Sequence, residues 1–355
     1  MRGDSITTIK SYGYIIFAAC FTIQAVGIGS YVAYGVFFNA LMSEFQWSRA
    51  TISGASSLAF FMMGFTGILI GRLNDLYGPR LLMSVTSLFF GAGLILMSQV
   101  NSVLQLYLFY GVLLGIGLSS IDVIALTTIA RWFALRRGAM TGLVKVGTGA
   151  GQFTIPLIAS FLIGVVGWRQ TFLIIGLAAS FILFCVAQIL KRDPYEYQPI
   201  SRRDSSSSQQ IGKCEDTSLS FEKTRKTYQF WNLCIVNFLV IFCLISIIIH
   251  IVPHARDIGL SAGQAAGALS TIGAVSMIGR FVTGLAIDRF GSKIIMGACL
   301  LLLIISLLWL QAAQSLWMLF LFACIYGLAH GGLFTAISPI VAEIFGIKAH
   351  GTILG

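Results

Sequence analysis

Gly71-Arg72-Leu73-Asn74-Asp75-Leu76-Tyr77-Gly78-Pro79-Arg80 is a charged island between two long apolar runs. The same frame returns at Gly284-Leu285-Ala286-Ile287-Asp288-Arg289-Phe290-Gly291-Ser292-Lys293. Both read Gly-x-x-x-Asp-x-aromatic-Gly-x-basic, and they lie 213 residues apart. The same offset pairs Glu44 with Asp257, Ser48 with Ser261, Gly54 with Gly267, Trp132 with Phe345, Gly138 with Gly351 and Gly142 with Gly355. One constant offset joining so many positions marks a duplicated chain.

Composition says where such a chain lives. It is 57% hydrophobic and 10% charged, with mean hydropathy +0.89. That describes an all-α polytopic membrane protein, and a membrane protein made of two parallel halves suggests a transporter. The net charge of +10 does not call for nucleic acid. It sits in short loops between apolar spans, where the positive-inside rule accounts for it. Of the seven cysteines, Cys20, Cys185, Cys234, Cys243, Cys299 and Cys324 lie in apolar runs and read as small core residues, and Cys214 lies in a polar segment. Met1 to Lys10 is polar with no cleavage pattern, and the first apolar run is too long for a signal peptide, so it reads as a retained span.

A crossing needs about 20 apolar residues. That rule predicts spans at 12–41, 49–71, 81–100, 105–130, 139–163, 170–190, 230–252, 262–285, 294–312 and 317–343. Of the 23 Lys and Arg, 18 fall on the side shared by the N-terminus and the 191–229 loop, and Arg49, Arg169 and Arg256 fall opposite. The N-terminus and that loop are therefore expected in the cytoplasm, in the plasma (cell inner) membrane. The loop carries Ser205 to Ser208 and reads as a flexible tether. The expected domains are 1–190, a six-helix half; 191–229, a cytoplasmic linker; and 230–355, a second half. Because Gly355 is the mate of Gly142, near the start of the fifth span, equal halves would run to about residue 403. The second half is thus expected to hold helices 7–10 and the start of 11, with the last one to two of twelve absent from this chain.

Six-plus-six helices with the loop motif in both halves resemble the major facilitator superfamily. Further features narrow the resemblance: Tyr34-Gly-Val-Phe-Phe38 before Phe45-Gln-Trp-Ser48, then Arg131-Trp-Phe-Ala-Leu-Arg-Arg-Gly138, then Arg280 in the eighth span. Together they resemble the monocarboxylate transporter and oxalate:formate antiporter group. The sequence departs from that group where Tyr31-Val-Ala-Tyr34 replaces a lysine of the animal members, and where Ser276 replaces an acid one turn before Arg280. A lysine of the oxalate carriers' eleventh helix lies beyond residue 355.

Arg280 is the leading candidate for substrate binding. Ionisable residues inside a membrane are expensive and usually functional. Its repeat mate is Gly67, so the shared fold does not demand a cation there. A guanidinium fork suits a carboxylate. The competing reading is an arginine snorkelling to the cytoplasmic surface. Lys145 and Asp122 read as an ion pair across the span 4–5 hairpin, or as a second substrate cation and a proton-coupling acid. Asp257 is the other proton-coupling candidate, but its mate Glu44 also precedes a serine by four residues, which favours a structural role. Gln24, Tyr31 and Tyr34 at turn-like spacing read as cavity lining or packing, and His330 as cavity-facing near Tyr326. Gly27, Gly29 and Gly35 would let the first span bend, and Pro156 and Pro339 mark kinks. The glycines of Gly111-x-x-x-Gly115-x-Gly117 and Gly147-x-Gly149-x-Gly151 suit close helix packing.

In the loop motifs, the resemblance to the superfamily implies a conformational latch at Gly71, Arg72, Asp75, Gly78, Arg80, Gly284, Asp288, Gly291 and Lys293. Its aspartates would face helix N-termini, with Arg72 and Arg80 as ion-pair partners of Asp75. His250, His254 and His330 lack metal-ligand spacing, and neither metal nor cofactor is expected. Nucleophile, acid-pair and Cys/His arrangements of an enzyme are not evident. The resulting expectation is a carrier of a small monocarboxylate such as lactate, pyruvate or formate, moving it with a proton by alternating access. Its partners would be a small organic anion, a proton and the lipid bilayer, with a monomer sufficient and no nucleic acid. The alternatives are an organic-anion antiporter of the oxalate/formate kind, or a non-transporting sensor or inactive remnant.

Overall fold

The computed structural model describes residues 2–193 and 221–355. Every regular element among them is helical: α1 (Arg2–Val32), α2 (Tyr34–Phe45), α3 (Arg49–Tyr77), α4 (Pro79–Met97), α5 (Val103–Leu106), α6 (Gly115–Trp132), α7 (Arg137–Val166) and α8 (Trp168–Ile189), then α9 (Phe221–Thr224), α10 (Tyr228–Asp257), α11 (Ala262–Phe290), α12 (Ser292–Ala312), α13 (Leu316–Phe345) and α14 (His350–Leu354). A π-helical stretch, Tyr107–Leu114, joins α5 to α6. Ten helices among the described residues are long and apolar enough to cross a membrane, counting α1–α2 and α5–α6 as one crossing each. The expected tether at Ser205–Ser208 and Cys214 lie outside the described residues.

The helices follow the logic of an apolar solvent. In α3, Ala55, Ala59, Gly67, Ile70 and Gly71 face inward, while Phe61, Phe65 and Leu69 face out. Bulk outside and small residues inside is the reverse of a soluble helix. Lipid tails are as apolar as a core, so helices gain by close backbone contact instead. The glycine runs serve this end. A methyl on Gly115 would strike Ala59, on Gly117 Phe90, on Gly151 the Ala25 carbonyl and on Gly149 the Met277 side chain. Gly27 and Gly29 do likewise against Ile121 and Gly151. The helix assignment breaks at Ala33, two residues before Gly35, while Gly27 and Gly29 sit at close helix contacts.

Contacts divide the chain into two compact units that cut across the repeat. Among the described residues, the first holds those up to Phe133, 150–193 and Gly346–Gly355; the second holds Ala134–Gly149 and 221–345. The expected boundaries at 190 and 230 follow the chain; the packing does not. In the first unit α3, α4, α6 and α8 pack around Phe90, Leu94, Leu114, Tyr110 and Leu118. In the second, α11 and α13 are in the closest contact: Gly327 meets Ile272 and Val275, Gly279 meets Leu328, and Gly331 meets Ser276 and the Arg280 amide. Tyr326 donates to the Leu244 carbonyl at 2.7 Å and ties α13 to α10.

Of the cysteines read as core residues, Cys20 and Cys299 are buried. Cys185 and Cys234 are exposed, in keeping with a thiol that is tolerated on an apolar outer face.

Candidate functional site

Each loop motif ends a helix with glycine. Gly78 sits at φ 85° and Gly291 at φ 88°, which residues with a Cβ rarely adopt. The chain reverses there, and α4 and α12 start at the next residue. One turn earlier, Asp75 and Asp288 project from the ends of α3 and α11.

Asp288 accepts from the amides of Gly138 (2.7 Å) and Ala139 (2.9 Å), in the first turn of α7. Asp75 accepts from the amides of Gly351 (3.2 Å) and Thr352 (2.8 Å) and from the Thr352 hydroxyl (2.8 Å), in the first turn of α14. A helix N-terminus presents unsatisfied N–H groups and partial positive charge, so a carboxylate fits it twice over. Glycine permits the approach: a methyl on Gly71 would strike the Gly351 carbonyl, and a methyl on Gly138 that of Gly284.

The expected cationic partners of Asp75 need correction. Its ion pair is with Arg131 at 2.9 Å, with the two side chains only 11% and 6% exposed. Arg80 instead donates two hydrogen bonds to Gln188 Oε1 (2.9 and 3.0 Å), and Arg72 is exposed. Sequence proximity suggested Arg72 and Arg80, but from the end of α3 the carboxylate points at the end of α6. Arg131 lies 56 residues from Asp75 in sequence, and only packing brings the two together.

Arg280 lies in the second unit, 4% exposed, on α11. It does not snorkel. Its NH1 donates to the Lys145 carbonyl at 2.7 Å. Lys145 itself is 5% exposed on α7, and a methyl on Gly142 would strike the Arg280 carbonyl, so α7 and α11 touch along their backbones here. His330 on α13 is 9% exposed, between the rings of Tyr326 (5.9 Å) and Phe334 (5.0 Å). Its Nδ1 is buried without a hydrogen-bond partner among the described residues. The next residue, Gly331, abuts Ser276 and the Arg280 amide. One unit therefore holds Arg280, Lys145 and His330.

The other candidates lie in the first unit or at an exposed end. Asp122 accepts from Gln24 Nε2 at 2.7 Å, a partner the sequence did not suggest, and Gln24 is fully buried. Tyr31 shares a hydrogen bond with the Ser56 hydroxyl at 2.8 Å. Tyr34 is placed for packing: 2% exposed, donating to the Ile52 carbonyl at 3.0 Å and stacked on Tyr110 at 3.9 Å. Asp257 is exposed at the end of α10. Its mate Glu44 binds Arg169 (2.8 Å) and the Trp168 indole (2.6 Å). The serines that follow both acids cap helices, Ser48 accepting from Thr51 and Ser261 from Gln264.

Such a duplicated helical chain, with ten candidate crossings among its described residues and buried cations, is a multi-pass membrane protein of the transporter class. The profile of the Major Facilitator Superfamily matches residues 19–355, and the chain belongs to that family of transporters, which carry small molecules across lipid bilayers. It is 27% identical over 343 residues to the MFS-type transporter opdF of Penicillium oxalicum, an alignment covering 92% of this chain and 76% of that one. It is 29% identical over 289 residues to monocarboxylate transporter 2 of Mesocricetus auratus, covering 77% of this chain and 58% of that one. The solved proton:xylose symporter XylE, bound to 6-bromo-6-deoxy-D-glucose, matches with a TM-score of 0.71 at 14% identity, covering 97% of this chain and 86% of that one. At that identity the likeness is one of fold.

Proposed function

We propose that this protein carries a small monocarboxylate of the lactate or pyruvate type across the plasma membrane together with a proton. The observation that carries the reading is Arg280, a guanidinium 4% exposed within a membrane-spanning helix, with NH1 on a main-chain carbonyl. A carbonyl offers one neutral acceptor. A carboxylate offers two charged ones in the geometry of the fork, and charge-assisted bonds are roughly twice as strong as neutral ones. Substrate would take Arg280 from the Lys145 carbonyl. His330 Nδ1, buried and without a partner among the described residues, would serve a substrate oxygen. Lys145, in the same unit, would add positive charge. Relatives named monocarboxylate transporters support the substrate class.

Proton coupling suits Asp122 better than Asp257. Asp122 lies within a span against Gln24, whereas Asp257 is exposed at a helix end. A proton moving with the anion makes transport electroneutral, so the membrane potential does not oppose it. The charge asymmetry of the loops supports a cytoplasmic N-terminus. The aspartate–helix contacts act as the latch of the alternating cycle.

The test is uptake of labelled lactate by cells making this chain, with and without an inward proton gradient, beside Arg280→Lys. Gradient-stimulated uptake lost in the variant is the expected result. Uptake indifferent to the gradient but driven by internal oxalate or formate would reassign the protein as an anion exchanger. Wild-type rates in Arg280→Lys would end the carboxylate role.

A further inference from the structure

The start of α10 is a built corner that the transport reading does not use. Thr227 caps the helix: its Oγ1 accepts from the Phe230 amide and donates to the Thr224 carbonyl at 2.7 Å. Trp231 Nε1 reaches back to the Arg225 carbonyl at 2.9 Å. Thr224 is buried, and Phe230 packs between Phe221 and Phe345. The backbone of 224–231 is thus tied down, while Lys223, Arg225 and Lys226 all stand exposed on it. Beside them Tyr228 is 81% and Trp231 59% exposed.

The same end of this unit carries more positive charge. Ser292 at the start of α12 is held by Glu343 of α13, and Gly138 of α7 by Asp288 of α11, so these helix ends lie together. Arg136, Arg289 and Lys293 are exposed there. The acids do not balance them. Glu222, Asp288 and Glu343 are the exposed acids there among the described residues, three against the six exposed cations Lys223, Arg225, Lys226, Arg136, Arg289 and Lys293.

We infer that the Lys223–Trp231 corner is a docking surface for anionic phospholipid headgroups. Basic side chains next to a crossing are drawn to anionic lipid, and exposed Trp and Tyr at a helix start sit at headgroup depth. A fixed turn presents its three cations at less entropic cost than a loose tail. With the proposed orientation, the leaflet is the cytoplasmic one; binding itself does not depend on that assignment.

The full chain, purified in detergent, is titrated with phosphatidylserine or phosphatidylcholine of matched acyl chains, and bound lipid is counted by native mass spectrometry. The wild type is expected to prefer phosphatidylserine. The triple variant K223Q/R225Q/K226Q is expected to lose roughly 10- to 100-fold in phosphatidylserine affinity and none for phosphatidylcholine. R256Q, at the opposite end of α10, keeps wild-type behaviour. A second readout needs no variant: raising salt from about 50 to about 500 mM should remove the preference, since exposed charges are screened. Equal retention of both lipids by the wild type, an unaffected triple variant, or a salt-independent preference would each overturn the proposal.

Discussion

Asp75 and Asp288 make the same contact on opposite copies of the repeat. Asp75 accepts from the amides of Gly351 and Thr352, and Asp288 from those of Gly138 and Ala139, each contact offset from the other by 213 residues throughout. Each aspartate of one sequence half therefore holds a helix start of the other half. The symmetry stops at the cation: Asp75 also binds Arg131, whose repeat mate is Ile344.

That asymmetry ranks two variants. Asp75→Asn removes one of two carboxylates that act on the nearly buried Arg131, Asp193 being the other, together with a charge-assisted hydrogen bond, and costs about 1.5–3 kcal/mol. Asp288→Asn weakens hydrogen bonds at a more exposed helix start and costs about 1–2 kcal/mol. Thermal unfolding in detergent should show the larger drop for Asp75→Asn. An equal drop would mean that the Arg131 pair adds nothing.

Arg131→Gln should destabilise about as much as Asp75→Asn, and the double variant should fall well short of the sum. Residues in one ion pair couple by about 0.5–3 kcal/mol. Strict additivity in the double-mutant cycle would dissociate the two side chains.

Arg280→Lys keeps the charge but loses the fork. Losing one charge-assisted hydrogen bond of about 1.5–3 kcal/mol predicts a roughly 10- to 100-fold fall in lactate uptake at low substrate. Membrane abundance, read on a blot, should stay near wild type.

Asp122→Asn should abolish proton-driven accumulation and spare lactate counterflow, and Asp257→Asn should do neither. The contrast follows from placement, one acid within a span against Gln24 and the other exposed at a helix end. Normal accumulation in Asp122→Asn would move the proton elsewhere.

Gly331→Ala puts a methyl against the Ser276 carbonyl and the Arg280 amide, backbone that cannot swing aside. Overpacking of this kind costs about 1–3 kcal/mol, and here it also displaces the helix that carries Arg280. Gly297→Ala meets nothing within 4 Å and should stabilise its helix by up to about 1 kcal/mol. Comparing thermal stability and lactate affinity for the pair separates packing from helix propensity.

The sequence by itself determined the family fold, because its signals are local or periodic. Apolar runs long enough to span a bilayer locate the helices, an offset of 213 residues exposes the duplication, and glycine at positions 78 and 291 is what two positive-φ helix ends require. It also singled out Arg280, because a cation in an apolar span needs a reason. Partners were decided by tertiary structure alone. Arg72 and Arg80 are near Asp75 in sequence, yet Arg131 takes it, because hydrogen-bond direction is set by where α3 and α6 end in space. Asp122 found Gln24 across 98 residues, and Tyr34 went into packing when its ring met Tyr110. The π-helical turns at Tyr107–Leu114 left no mark in the hydropathy, since a wider turn changes which residues meet, not how apolar they are. The packing units cross the repeat for the same reason. Periodicity records which face of a helix is apolar, and only folding chooses the neighbour that covers it.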